Sequence, residues 1–200
     1  RGVVRARPPH TAQSGLYGCP TIVSNVLTFA TIPNILARGG AWHASLGTEG
    51  SRGTIALQLG GRVQQPGLIE VPFGLTLREV LDQFGQGMAD GARLKAVQVG
   101  GPLGSLFADA QLDVPICFDA FAKADAILGH GGIVVFDDET DMLELSRHLM
   151  AFVTDESCGK CVPCRIGSLR AREILDAIQA GQATEADLSL LTELGDTMKA

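Results

Sequence analysis

The apolar positions of this chain recur with two different spacings, one typical of helices and one of strands. Between Thr21 and Leu36 the apolar residues stand three or four positions apart, which predicts an amphipathic helix interrupted at Pro33. Short apolar runs bounded by turn-forming residues predict strands. These runs occupy residues 54–59, 67–71, 96–99 and 133–136. The pattern therefore predicts an α+β fold.

The order of the elements in the middle of the chain predicts a compact unit. Gly60 and Gly61 are expected to form the turn between the first two strands. Thr76 followed by Glu79 is a capping box, so a short helix is expected after the second strand. A hairpin, a helix and a further strand occur in this order in the β-grasp fold, which is the predicted architecture.

The last part of the chain predicts helices joined by short links. Helix-like spacing of apolar residues begins near Met142, near Arg165 and after Thr184. The second of these helices is expected to end near Gly181, and the acids at 137–139 are favourably placed near the start of the first. Three such helices predict a bundle.

Composition and charge exclude several classes of protein. The 200 residues carry 16 Lys and Arg against 22 Asp and Glu, and 46% of them are hydrophobic. This balance argues against disorder and against nucleic-acid binding through counterion release. Residues 1–48 contain four arginines and no acid, whereas 49–139 and 140–200 are acidic. No apolar run approaches the roughly 20 residues of a membrane helix, and no secretory signal is visible, so a cytoplasmic protein is expected.

Three of the five cysteines stand close together. Cys158, Cys161 and Cys164 form two C-x2-C units that share a cysteine. Thiolates are soft ligands that favour iron–sulfur clusters, zinc or Cu(I). The bacterial ferredoxin pattern starts with the same spacing, but its fourth cysteine would fall at Ser168. The spacing therefore predicts an iron–sulfur site whose fourth ligand comes from elsewhere.

Other interpretations of these cysteines stay open. Zinc with His148 as a fourth ligand is one, although structural zinc sites usually use two separated pairs. A redox dithiol and three unligated thiols in a turn are the others. Cys19 and Cys117 are expected to be small buried apolar side chains. Four basic residues either form a solvated face or offset the charge of a cluster. They are Lys160, Arg165, Arg170 and Arg172.

The string ESCGKCVPCRIG over residues 156–167 resembles the cluster motif of the flavoprotein subunit of complex I-type NADH dehydrogenases. The same subunit occurs in NAD-reducing hydrogenases and NAD-dependent formate dehydrogenases. Residues 15–28 resemble the end of that family's flavin domain, and residues 61–74 resemble its SLBB domain, a β-grasp unit. The resemblance covers the whole chain.

The resemblance implies three parts and a ligand set. Residues 1–47 would be the C-terminal end of an α/β FMN-binding domain, 48–139 the SLBB domain with its following strand, and 140–200 the start of a helical bundle that binds a [4Fe–4S] cluster. The three clustered cysteines would be ligands of that cluster. In the family the flavin and NADH loops precede the first residue of this chain and the fourth cysteine follows its last, so a fragment is expected.

The resemblance also implies cofactor contacts and a function. Ser24, Asn25 and Thr28 fall where the family contacts FMN through polar side chains. No residue is assigned as a catalytic acid or base, and the four histidines are expected to be structural. The flavoprotein would pass electrons between FMN, which exchanges hydride with NADH or NAD, and the [4Fe–4S] cluster.

The branch of the family is a finer expectation. Leu27 and the glycine-rich segments 100–104 and 129–132 look more like formate dehydrogenase than like complex I. The expected partners are therefore an iron–sulfur subunit and a molybdenum- or tungsten-containing catalytic subunit, with no nucleic acid and no membrane insertion. The same subunit of complex I or of an NAD-reducing hydrogenase is the alternative, and a metal-free docking module is the second alternative.

Overall fold

The computed structural model describes residues 6–199 and divides them into two compact units. The first unit spans residues 6–137 and contains every strand assigned within the described part of the chain, so we call it the sheet unit. The second spans residues 138–199 and is helical, so we call it the helical unit. The chain therefore has a mixed α/β part followed by a helical C-terminal part.

Over residues 6–137, the sheet unit contains five strands and four α-helices. The strands are β1 (Thr54–Gly61), β2 (Gly67–Pro72), β3 (Leu94–Val99), β4 (Ser105–Phe107) and β5 (Gly132–Asp137). The helices are α1 (Val26–Arg38), α2 (Gly40–Ala44), α3 (Leu77–Gln83) and α4 (Phe118–Lys123). The strand order is β2-β1-β5-β3-β4; β5 runs parallel to β1 and antiparallel to β3, and both hairpins are antiparallel. The predicted β-grasp arrangement is confirmed.

Helix α3 covers the sheet because its sequence fixes both its start and its apolar face. The Oγ1 atom of Thr76 accepts a hydrogen bond from the Glu79 N–H, and Glu79 Oε2 accepts one from the Thr76 N–H, as the predicted capping box requires. Leu77 and Val80 of α3 are fully buried in the core cluster. On the sheet, Leu57 and Val97 are fully buried in the same cluster.

The expected turn at Gly60 and Gly61 is wrong, because both residues belong to β1 and pair with β5. Gly61 has φ +79°, and a Cβ there would collide with the backbone of Val135 on the neighbouring strand. The glycine is thus required by a close strand approach rather than by a turn. The connection between the first two strands lies at residues 62–66.

The predicted N-terminal helix exists with different limits. Asn25 caps α1, so the helix begins at Val26 rather than near Thr21. Pro33 lies inside α1, which continues to Arg38, and the predicted interruption is wrong. Proline removes its own N–H from the helical hydrogen bonds, but the turns on either side keep theirs.

The helical unit contains α5 (Met142–Glu156), α6 (Ser168–Gln179) and α7 (Glu185–Lys199), with a π-helical turn at Pro163–Gly167 that leads directly into α6. Helix α6 packs against both α5 and α7. The residue that caps α5 is Asp141, and the acids at 137–139 lie just before it in the chain. Asp137 accepts a hydrogen bond from Arg62 Nε at 2.7 Å within the sheet unit. Within residues 6–199, no helix is both long and apolar enough to cross a membrane.

Candidate metal centre

The three clustered cysteines lie where α5 ends and the next helical segment begins. Cys158 and Cys161 are exposed in the connection, and Cys164 is half-buried in the π-helical turn. We call residues 157–164 the cysteine loop. All three thiols are free rather than joined in disulfides. The structure thus presents three reduced thiols within one short segment next to solvent.

Gly159, Arg165 and Pro163 together hold the shape of the cysteine loop. Gly159 has φ +75°, a conformation that glycine adopts without a steric penalty. The Arg165 guanidinium donates from Nη1 to the Gly159 carbonyl oxygen at 2.5 Å, and the Arg165 N–H donates to the Cys161 carbonyl at 2.9 Å. Pro163, the first residue of the π-helical turn, has its φ already fixed near the helical value. Arg165 therefore supports the loop, a role that its charge alone did not reveal.

Ser157 is a residue of this site that sequence reasoning missed. Its Oγ atom lies 3.4 Å from the Sγ atom of Cys164 and accepts a hydrogen bond from the Gly159 N–H at 3.2 Å. The only sequence signal was its place directly before Cys158, because a single serine has no diagnostic spacing. The hydroxyl connects the two ends of the cysteine loop.

A second serine near the site is buried without a partner. Ser168 begins α6, is fully buried, and its Oγ atom has no hydrogen-bond partner within residues 6–199. Its backbone N–H bonds the Cys164 carbonyl, as a regular helix requires. A buried hydroxyl without a partner costs stability, so this position is a defined weak point at the start of α6.

The donor set fits a thiolate-bound iron–sulfur cluster. Three free thiols are the soft ligands that such clusters use, and each thiolate of a four-iron cluster binds a different iron atom, so the three need not point at one common centre. Over residues 6–199, no group of three or more His, Cys, Asp or Glu side chains is arranged to hold a single metal ion. His148, named in the zinc interpretation, is exposed on α5.

The polar residues assigned to FMN lie together at one helix end. Ser24, Asn25 and Thr28 are all exposed at the N-terminus of α1. The Asn25 Oδ1 atom accepts a hydrogen bond from the Leu27 N–H at 2.8 Å, so the side-chain oxygen caps the helix. The side-chain amide nitrogen of Asn25, which carries the donor hydrogens, takes no part in this hydrogen bond. Flavin binding by these residues stays a prediction.

The two isolated cysteines and two of the histidines lie outside the cysteine loop. Cys117 is buried, as expected, but Cys19 is exposed, so the expectation of burial was wrong for that residue. Cys19 directly follows a short 3-10 turn at Leu16–Gly18, which contains no buried residue. The His130 Nδ1 atom accepts a hydrogen bond from the Gly132 N–H at 3.1 Å, and the His43 ring lies over Gly53.

Two family models match parts of this chain. Residues 57–105 match the SLBB domain, and residues 144–200 match the NADH-ubiquinone oxidoreductase-F iron–sulfur binding region. The first match falls on the sheet unit and the second on the helical unit, including the whole cysteine loop.

Curated relatives match almost the full length of this chain. The NADP-reducing hydrogenase subunit HndC of Solidesulfovibrio fructosivorans is 47% identical over 199 residues, which are 100% of this chain and 41% of the relative. The NADH-quinone oxidoreductase F subunit of Escherichia coli K12 is 40% identical over 190 residues, 95% of this chain and 43% of the relative. The chain thus spans less than half the length of these relatives.

A solved structure shares the fold. The NAD⁺-reducing [NiFe]-hydrogenase in its H2-reduced state aligns with a TM-score of 0.79 and 36% sequence identity. The alignment covers 95% of this chain and 32% of the hydrogenase chain. The architecture described above is therefore found in an experimental structure as well.

Proposed function

Residues 57–105 belong to the SLBB domain family and residues 144–200 to the NADH-ubiquinone oxidoreductase-F iron–sulfur binding region, and from this premise we propose that the chain carries electrons between FMN and a [4Fe–4S] cluster in an NAD-dependent oxidoreductase. The observation that carries the proposal is the set of three free thiols on a loop fixed by Gly159 and Arg165. A bound cluster accepts and donates single electrons, chemistry that amino-acid side chains do not supply.

Each residue of the site has a defined task under this proposal. Cys158, Cys161 and Cys164 hold the cluster as thiolates, together with a fourth ligand that these three do not provide. Arg165 keeps the loop in shape through the Gly159 carbonyl, so the thiols need not be reorganised on binding. The half-buried position of Cys164 keeps part of the site away from water.

The flavin is held at the other end of the chain under this proposal. The Asn25 amide nitrogen, Ser24 and Thr28 contact FMN through polar groups at the N-terminus of α1. When bound, this flavin would supply hydride exchange with NADH or NAD, and the cluster would supply one-electron transfer. A cytoplasmic location is part of the proposal, because thiolate clusters that react with oxygen suit a reducing compartment.

We also propose the formate dehydrogenase branch of the family. Leu27 and the glycine-rich segments 100–104 and 129–132 support this choice over complex I. The partners would be an iron–sulfur subunit and a catalytic subunit with molybdenum or tungsten. The hydrogenase branch is the competing proposal, and the 47% identity to the hydrogenase subunit supports it.

Metal analysis tests both the proposed cluster and the proposed branch of the family. The protein is purified without oxygen, together with any subunits that accompany it. Iron and acid-labile sulfide in near-equal amounts are expected if the cluster is present. Zinc without sulfide, or neither metal in the intact complex, would contradict the electron-transfer proposal and favour a structural metal site or a docking module. Molybdenum or tungsten would support the formate branch, whereas nickel would identify a hydrogenase and overturn that branch assignment.

A further inference from the structure

The cysteine loop contains a hydroxyl that contacts one of the three thiols directly. Ser157 Oγ lies 3.4 Å from Cys164 Sγ, which is within hydrogen-bond distance for a sulfur atom. Ser157 is half-buried at the end of α5, and Cys164 is half-buried in the π-helical turn. The pair therefore bridges the two ends of the loop, at the part of the site that is least exposed to water.

The direction of this hydrogen bond depends on the protonation state of Cys164. The Ser157 oxygen accepts a hydrogen bond from the Gly159 N–H at 3.2 Å, and its own proton remains available to donate. A thiol that binds a metal has lost its proton and can only accept. With Cys164 bound to iron, the Ser157 hydroxyl must be the donor and Cys164 Sγ the acceptor.

We propose that Ser157 is a positioning residue that donates a hydrogen bond to Cys164 Sγ and thereby raises the reduction potential of the cluster. Reduction adds an electron and makes the cluster more negative, so a donor at a ligand sulfur stabilises the reduced form more than the oxidised form. This inference rests on the proposed function, because it requires a cluster held by Cys164. It extends that function by naming a residue that sets the potential without binding iron.

Ser157→Ala removes this hydrogen bond together with the one that Ser157 accepts from the Gly159 N–H. Arg165 donates a hydrogen bond to the Gly159 carbonyl independently of Ser157. This contact therefore remains in a Ser157→Ala variant and still supports the loop. Ser157→Thr retains the hydroxyl at nearly the same place. Ser189→Ala removes a hydroxyl that bonds the Glu185 carbonyl on α7 and serves as the matched control.

The test is a redox titration of the protein purified without oxygen, followed by electron paramagnetic resonance of the reduced cluster, with iron and sulfide measured in every sample. At the midpoint potential of the wild-type protein, the reduced-to-oxidised ratio is expected to fall about two- to tenfold in Ser157→Ala, the range that one hydrogen bond supports. Ser157→Thr and Ser189→Ala are expected to keep the wild-type ratio. An unchanged ratio in a fully loaded Ser157→Ala protein would overturn the inference.

A second readout separates a change of potential from a loss of the cluster. In D2O, pulsed electron paramagnetic resonance of the wild-type protein should show a coupling to the Ser157 hydroxyl deuteron in addition to those of exchanged backbone amides and solvent. This one coupling is expected to be lost in Ser157→Ala and retained in Ser157→Thr. If Ser157→Ala loses its iron, Ser157→Thr decides, since a shift or loss there despite the hydroxyl overturns the inference. Absence of iron and sulfide from the wild-type protein would instead contradict the proposed function itself.

Discussion

The sheet unit and the helical unit use apolar residues to very different extents. The sheet unit buries a continuous cluster of large side chains from its strands and from α3, with Leu57, Val97 and Ile133 fully shielded from water. The helical unit also has a regular apolar periodicity, that of helices, but its buried apolar residues are Ala171, Ile174 and Leu175, all on α6. A regular pattern therefore predicts where helices form, and it does not predict how much core they share.

Ion pairs between the helices are a second kind of contact in the helical unit. Arg147 on α5 donates to Asp176 on α6 at 2.8 Å, and Arg170 on α6 lies 3.8 Å from Asp187 on α7. Such exposed ion pairs contribute little, typically below about 1 kcal/mol each. A ligand that binds only the folded cysteine loop would therefore account for a larger share of the stability here than in the sheet unit.

Replacement of one loop cysteine gives the largest expected difference between the units. Cys161→Ser is expected to lose most of the iron and acid-labile sulfide, because it removes one of the three proposed thiolate ligands. The sheet unit is expected to keep its unfolding transition, since its core contains no residue of the loop. Cys19→Ser, at an exposed cysteine outside the loop, is the control and should retain the metal. Unchanged iron content in Cys161→Ser would refute the ligand assignment.

Truncation of a core leucine tests the opposite case, a change that is expected to destabilise the sheet unit. Leu57→Ala is expected to lower the free energy of unfolding of the sheet unit by about 2–5 kcal/mol, because it leaves a cavity in a fully buried cluster. Leu68→Ala, on the neighbouring strand and 71% exposed, should change it by less than about 0.5 kcal/mol. Denaturant unfolding measures both. Equal effects of the two variants would contradict the described packing.

The two units carry the same type of helix cap in different surroundings. Thr76→Ala is expected to lower the free energy of unfolding of the sheet unit by about 1 kcal/mol, because α3 is part of the core. Thr184 Oγ1 accepts a hydrogen bond from the Asp187 N–H at 3.3 Å at the start of α7, which buries no residue. Thr184→Ala is therefore expected to fray only the first turn of α7, as faster amide hydrogen exchange.

The control for the caps is a threonine inside α7. The Thr192 hydroxyl donates to the Leu188 carbonyl and caps nothing, so Thr192→Ala should leave exchange at the start of α7 unchanged. If Thr184→Ala slowed the exchange, or destabilised the whole helical unit as strongly as a core truncation, the contrast between the two caps would be wrong.

The smallest expected effect is a pH dependence confined to the helical unit. Hydrogen bonds from the Thr184 N–H and hydroxyl, aided by the charge of Arg170, hold the pKa of Asp187 below its ordinary value. The folded state thus favours the carboxylate, and this stabilisation is present above about pH 4 and lost as the pH falls through the lower folded pKa. Asp187→Asn should flatten the acid side of a plot of melting temperature against pH. Asp196→Asn on the same helix is the control, and an equal flattening there would contradict the assignment.

Local signals predicted the fold well where contacts are local. The Thr76–Glu79 capping box and the hairpin strands follow from neighbouring residues, and the structure has them. The turn at Gly60 and Gly61 was wrong because β5, far along the chain, pairs with these glycines and extends β1. The residues around Gly60 and Gly61 carry no signal for pairing with a strand so distant in the sequence.

In the candidate site, too, local features could be predicted from the sequence and longer-range contacts could not. Spacing alone placed Cys158, Cys161 and Cys164 in a connection between helices, which the structure contains. The roles of Ser157 and Arg165 depend on a side chain that reaches back across the loop, so they could not be predicted from spacing. The π-helical turn is also unpredictable from apolar periodicity, because a single widened turn changes the pattern by only one residue.

The position of β5 in the sheet sets the order in which the protein can fold during its synthesis. The hairpins β1–β2 and β3–β4 emerge first, but each has an edge, on β1 and on β3, that only β5 can fill. Until Asp137 has been added, these edges remain open to pairing with other chains. Because the cysteine loop follows β5, the last strand of the sheet is synthesised before the three cysteines of the loop.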